Sequence, residues 1–369
     1  MGFTRAASAR LSLGAYLAWT GCMSTAPAAT ERAAESPASA PAVASAASAA
    51  PEDAGAAPSS GASEGESPLA AGALAALPPP SASTSIGSPS NGQLQGGVAL
   101  PLRAPGLRYN DRRDENARYA TVEVIAAIQR AAQAVAQRFP ESELIVNDIS
   151  LPSGGRIAHH GSHRAGRDAD ILFYLRGDDG NFTPSVGAPI DPQGIGFDFK
   201  ELAEPGDDLR VHFDADRTWH FVAALLADPE AVVQRIFVAE HLREMLLAAA
   251  KKAQAPSATI ALFDDVTCQP GYPHDDHLHV RWFCSFEDLA AGCEDLPPLY
   301  PWRQDALSAA GLSAKLAART RSADPAPLTT QADAERAVKR QKPHKDVLAF
   351  LARRKAWEKQ PHPGRPYCK

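Results

Sequence analysis

Between Tyr119 and Phe139 apolar side chains fall at Val122, Ile125, Ala126, Ile128, Ala132, Val135 and Ala136, the three-and-four spacing of one face of a helix. The run stops before Pro140, so the spacing predicts a helix over 119–139. Leu144 to Ile149 predicts a strand, and the apolar and aromatic run Asp170 to Leu175 predicts a buried one. Residues 177–208 are rich in Gly, Pro and Asp and read as a long insertion loop. Helices are expected over 217–227 and 240–253, with a strand at 232–238 between them. A further strand, His277 to Trp282, is entered through the turn-forming Pro270-Gly271-Tyr272-Pro273. The order is alternating but irregular. It predicts an α+β fold, a small mainly antiparallel sheet with flanking helices and long loops.

Outside 98–302 this patterning fades. Residues 23–97 are Ala, Pro, Ser and Gly with almost no large apolar side chains. Such a segment cannot bury enough surface to offset its ordering entropy, so it reads as a disordered linker. Ahead of it, Arg5 and Arg10 precede the apolar run Leu11 to Trp19 and then Cys22, the order of a signal peptide, residues 1–22, ending in a lipoprotein-like processing site. The run is too short for a permanent span. Ordinary secretion with cleavage elsewhere is the alternative to lipid attachment at Cys22, and either reading exports the chain to the periplasm.

The net charge of −6 hides an asymmetry: residues 331–369 hold eleven Lys or Arg and four Asp or Glu. The C-terminal extension 303–369 is therefore locally basic, and it reads as a solvated helix surface and tail, with attraction to anionic envelope polymers as the alternative. Nothing in it has the aromatic interleaving of a nucleic-acid reader. Besides Cys22 the chain has Cys268, Cys284, Cys293 and Cys368. An even number in an exported chain favours disulfides. Four cysteines allow three pairings, and sequence alone does not choose among them; Cys284 with Cys293 closes the shortest loop and is the preferred bridge, which would leave Cys268 for Cys368.

Six of the eleven histidines lie in two short stretches, 159–163 and 274–279. Neutral imidazole and carboxylate suit Zn²⁺, and a hydrolytic site needs three protein ligands and one open position. In a strand, His277 and His279 share a face while Leu278 points to the core. Asp170 opens the apolar strand, and His163 lies in the loop before it, where Gly161 and Gly166 permit tight turns. There is no HExxH or CxxC, so a helical zinc-protease motif and a cysteine metal knuckle are excluded.

His160-Gly161-Ser162-His163, Gly166, Asp168-Ala169-Asp170 and His274-Asp275-Asp276-His277-Leu278-His279-Val280-Arg281 resemble the penicillin-insensitive murein endopeptidases, within the wider group that includes lysostaphin and the D-Ala-D-Ala metallopeptidases. The resemblance implies that 98–302 is a zinc peptidase domain, with Zn²⁺ held by His163, Asp170 and His279. It implies that His277 is the base or transition-state stabiliser, with His274 and His160 lining the site. The implied substrate is murein, cut at the D-alanyl to diaminopimelate cross-link or at a related bond of the stem peptide. A zinc D,D-carboxypeptidase, or a murein-binding lipoprotein with a non-catalytic metal site, are the alternatives. Asp168 either orients His163 or is an exposed loop acid.

Overall fold

The computed structural model describes residues 79–157, 160–185, 187–270, 274–318 and 331–357. At its centre is a seven-stranded sheet in the order Thr267–Cys268, Val233–Phe237, His277–Trp282, Asp168–Leu172, Leu144–Val146, Leu107–Tyr109, Arg103–Ala104. The pairings at Val233–Phe237 with Thr267–Cys268 and at Leu107–Tyr109 with Leu144–Val146 are parallel, and the others are antiparallel. The fold is α+β, as the element order predicts. Helix Val122–Arg138 packs beside Ala215–Leu226, which in turn packs on Glu240–Lys252.

The two central strands decide where the chemistry sits. Asp168–Leu172 and His277–Trp282 are buried along their whole length. Their pairing sets His279 opposite Asp170 and Arg281 opposite Asp168. Side chains alternate across a strand, and directly paired residues project to the same side of a sheet. The acids, histidines and Arg281 therefore share one face. Ala169, Ile171, Leu278 and Val280 face the other side, where they join the main hydrophobic core. A slip of one residue would push the charges into that core, so burial fixes the register.

Three expectations change. The segment read as linker to residue 97 contains a hairpin, Thr84–Ser88 with Asn91–Gln95. It escapes an apolar pattern because its anchor is polar: Ser85 Oγ accepts from Nε of the buried Arg167 at 2.9 Å, and Gly87 O accepts from its Nη2 at 3.4 Å. Arg167 also donates to Asp295 and to the carbonyls of Trp282 and Glu294. Its five donors thus tie the hairpin to the centre of the fold. Second, 177–208 is more than a loop. Phe182–Thr183 and Ile195–Asp198 join Leu175–Arg176 and Leu209–Phe213 in a four-stranded antiparallel sheet. These strands are too short for a periodic signal.

Third, the basic extension is not simply a solvated surface. In the helix Lys345–Trp357, Val347, Phe350 and Trp357 pack on Phe199 and Leu202 as a second small core. Their spacing was masked by the Lys and Arg between them. The expected Cys284–Cys293 disulfide is present. The expected Cys268–Cys368 pairing falls on Cys368, outside the described residues, as do the signal peptide and Cys22. No described helix is long and apolar enough to cross a membrane.

Candidate metal and catalytic site

Asp170 Oδ1 is the hub of the polar face. His163 Nε2 lies 3.3 Å from it, His279 Nδ1 3.3 Å and His277 Nε2 3.4 Å. All four side chains are buried. His279 reaches the hub because its strand position is paired with Asp170. Its other nitrogen, Nε2, is 3.0 Å from Asp168 Oδ1, an acceptor. The proton therefore sits on Nε2, and Nδ1 is left with a lone pair towards Asp170.

Asp168 is neither exposed nor aimed at the ring of His163. It is 1 % accessible, accepts from Arg281 Nε at 2.6 Å, and takes the backbone N–H of His163 at 3.1 Å through Oδ2. It thus holds the ring of one histidine and the backbone of another. Burial opposes its ionisation, but Arg281 and His279 outweigh burial and keep the carboxyl far below its usual range.

His163 adopts a left-handed backbone at φ 64°, a conformation that costs a non-glycine residue energy and needs surrounding contacts to hold it. Its Nδ1–H donates to Ile149 O at 2.8 Å, which turns Nε2 inward. Neither His163 Nε2 nor Asp170 Oδ1 makes a hydrogen bond. Two buried acceptors 3.3 Å apart call for a positive charge near both, a proton or a cation. His160 stands beside them, with Nε2 2.9 Å from Asp148 Oδ2 and Nδ1 3.7 Å from Asp170 Oδ2. Donor atoms of His160, His163 and Asp170 lie within 4.8 Å of one another, a group able to hold a metal ion. Imidazole nitrogen with carboxylate oxygen is the donor set of a borderline divalent ion such as zinc.

The rest of the second cluster closes the site. His277 Nδ1–H donates to Asp276 Oδ1 at 2.7 Å, so its Nε2 is the atom that faces Asp170. The ring of His274 is 4.9 Å from that of His277 and 5.6 Å from that of His279, and it stacks on Phe237. Burial disfavours a charged His277, but Asp170 and Asp276 outweigh it and lift the imidazole to about 10. Burial and His163 push His160 down to about 3, and burial takes His279 down to about 4 against its bond to Asp168. Burial also opposes charge on Asp170, yet His163 and His277 hold its carboxyl well below the ordinary range. In short, a fixed negative charge is ringed by imidazoles, of which only some are held protonated.

The five histidines and one acid expected to hold metal or line the site, His160, His163, His274, His277, His279 and Asp170, meet in one cluster. Asp148, Asp276 and Arg113 were missed. Arg113 donates to both carboxylate oxygens of Asp148, completing a chain from Arg113 through Asp148 to His160. Asp276 sits inside a recognised motif. Nothing local to Asp148 or Arg113 advertises a pairing across 35 positions of sequence.

A family model described as penicillin-insensitive murein endopeptidase matches residues 85–344. A penicillin-insensitive murein endopeptidase of Klebsiella pneumoniae subsp. pneumoniae is 29 % identical over 218 residues, 59 % of this chain and 72 % of that protein. One of Salmonella heidelberg is 27 % identical over 224 residues, 60 % of this chain and 74 % of that protein. The match takes in the hairpin, both histidine clusters and the two strands that carry them, and on that ground the chain belongs to the penicillin-insensitive murein endopeptidase family.

Proposed function

We propose that this chain is an exported zinc endopeptidase that hydrolyses the D-alanyl to diaminopimelate cross-links of murein in the periplasm, anchored through a lipidated Cys22. The observation that supports it best is the convergence of His163 Nε2, His279 Nδ1 and His277 Nε2 on Asp170 Oδ1, with His163 Nε2 and Asp170 Oδ1 lacking any hydrogen bond. On this reading His163, Asp170 and His279 hold the ion, and three protein ligands leave the open position that catalysis needs. Zinc there supplies a positive charge that makes water a better nucleophile and polarises the scissile carbonyl.

The other residues move protons and hold shape. With the charge of Asp170 taken up by a cation, His277 would lose the larger of the two acidic influences that keep it protonated. Its Nε2 then accepts the proton of the attacking water and returns it to the leaving amine. Asp276 keeps the Nδ1 proton in place and so fixes the tautomer. His274 and His160 line the cleft, and Asp148 with Arg113 orients His160.

Digestion of cross-linked murein by the zinc-loaded protein, followed by separation of the muropeptides, tests this. Dimers resolved into monomers are expected. Release of free D-Ala alone would make the enzyme a carboxypeptidase, and unchanged murein would reject the peptidase reading.

A further inference from the structure

The family match ends at residue 344, and the helix Lys345–Trp357 begins at the next one. Its far end enters the site's surroundings. Arg354 Nε and Nη2 donate to the two carboxylate oxygens of Asp275 at 2.9 and 2.6 Å, and Trp357 Nε1 donates to Oδ2 at 2.8 Å. Asp275 is fully buried, and Arg354 is 2 % accessible. A two-pronged guanidinium fixes direction as well as distance, because both nitrogens must meet both oxygens.

Asp275 stands between His274 and Asp276, the residue that holds His277. His274 has a left-handed backbone at φ 52°, a shape its neighbours must maintain. The carbonyls of His274 and Asp275 accept from the N–H groups of Ala239 at 3.0 Å and Ile190 at 2.8 Å. The helix is itself seated through Val347, Phe350 and Trp357 on Phe199 and Leu202. We infer that the helix Lys345–Trp357 is a latch, with Arg354 and Trp357 as positioning residues that lock the backbone of the turn bearing His274 and Asp276. Through that turn they set the aim of His277. Neither residue touches the reacting groups, and the kinetic part of the inference rests on the peptidase function proposed above.

The test uses the full chain with Arg354→Lys, which keeps the charge but loses the fork, and Trp357→Phe, which keeps the ring but loses the N–H. Zinc per chain, kcat and KM on soluble cross-linked muropeptide dimers, and amide exchange are measured together. Expected are unchanged zinc, unchanged KM and a fall in kcat of roughly ten- to a hundredfold, the usual cost of losing a residue that orients a reacting one. Exchange should quicken at Ile190 and Ala239 but not at Ile171 or Val280 in the central strands. Normal kcat with normal exchange at Ile190 and Ala239 in both variants overturns the latch. So does exchange that quickens throughout the central strands, which would make the helix only a contributor to global stability. If the wild-type protein cuts no dimer while Ile190 and Ala239 still respond, the peptidase function falls and the latch stands.

Discussion

Asp170 Oδ1 has three imidazole nitrogens within 3.4 Å, so the ligand set is a choice among close neighbours. Tautomer and charge together make the choice, since His277, whose Nδ1–H is on Asp276, is held protonated by Asp170 and Asp276. His163 and His279 each spend their proton outward, on Ile149 O and Asp168, and present a lone pair to the hub. His160 is tied to Asp148, and its Nδ1 faces the other carboxylate oxygen, Asp170 Oδ2, at 3.7 Å. Accordingly His163→Ala and His279→Ala should each bind less than one tenth of the wild-type zinc, on the order of what loss of one of three ligands costs. His160→Ala should retain it. His277→Ala should also retain zinc, yet lose roughly a hundredfold or more in turnover, the range for a general base. Metal analysis beside kinetics checks all four. Zinc retained by His279→Ala and lost by His160→Ala would move the third ligand to His160.

At the scale of elements, the clearest part of the sequence was the alternation His277-Leu278-His279-Val280-Arg281. Burial on both sides of a central strand makes such a pattern unambiguous, and the structure gives the strand the same limits, His277–Trp282. The hairpin 84–95 was hidden for the opposite reason, since its buried contact runs from Ser85 to a guanidinium 82 residues away. Polar anchoring at long range leaves no local signature. Leu94 of that hairpin packs on Gly166, where a Cβ would come within 2.8 Å of Leu94 Cδ1 and where φ is 70°. Gly166→Ala should therefore destabilise the protein by about 1–3 kcal/mol through overpacking and backbone strain. A thermal midpoint equal to wild type would show that the hairpin yields without cost.

For the whole molecule, acid should act first where a buried carboxylate holds two segments together. Burial raises the Asp275 carboxyl, but Arg354, Trp357 and, more weakly, His241 from the helix Glu240–Lys252 outweigh it, and the net shift is downward. A depressed folded value means that the native state binds the proton less readily than the unfolded one. The stabilisation is therefore present above the unfolded value of about 4 and is lost as pH falls below it. Breaking one side of such a pair costs about 3–5 kcal/mol when the partner stays charged and buried. Acidification below about pH 4 should free the segment Lys345–Trp357 ahead of the central sheet. Limited proteolysis across a pH series reads this, and simultaneous cleavage of both regions would contradict it.

The bond between Arg354 and Asp275 also bears on the order in which the molecule is completed. A chain is synthesised from its N-terminus, so every histidine of the two clusters exists before residue 345 does. A nascent or clipped chain that stops short of Lys345 has the metal-binding residues and the central strands, and lacks the two side chains that hold Asp275. The two side chains that seat Asp275 would then be in place only once synthesis has passed Trp357, a form of timing written into the sequence.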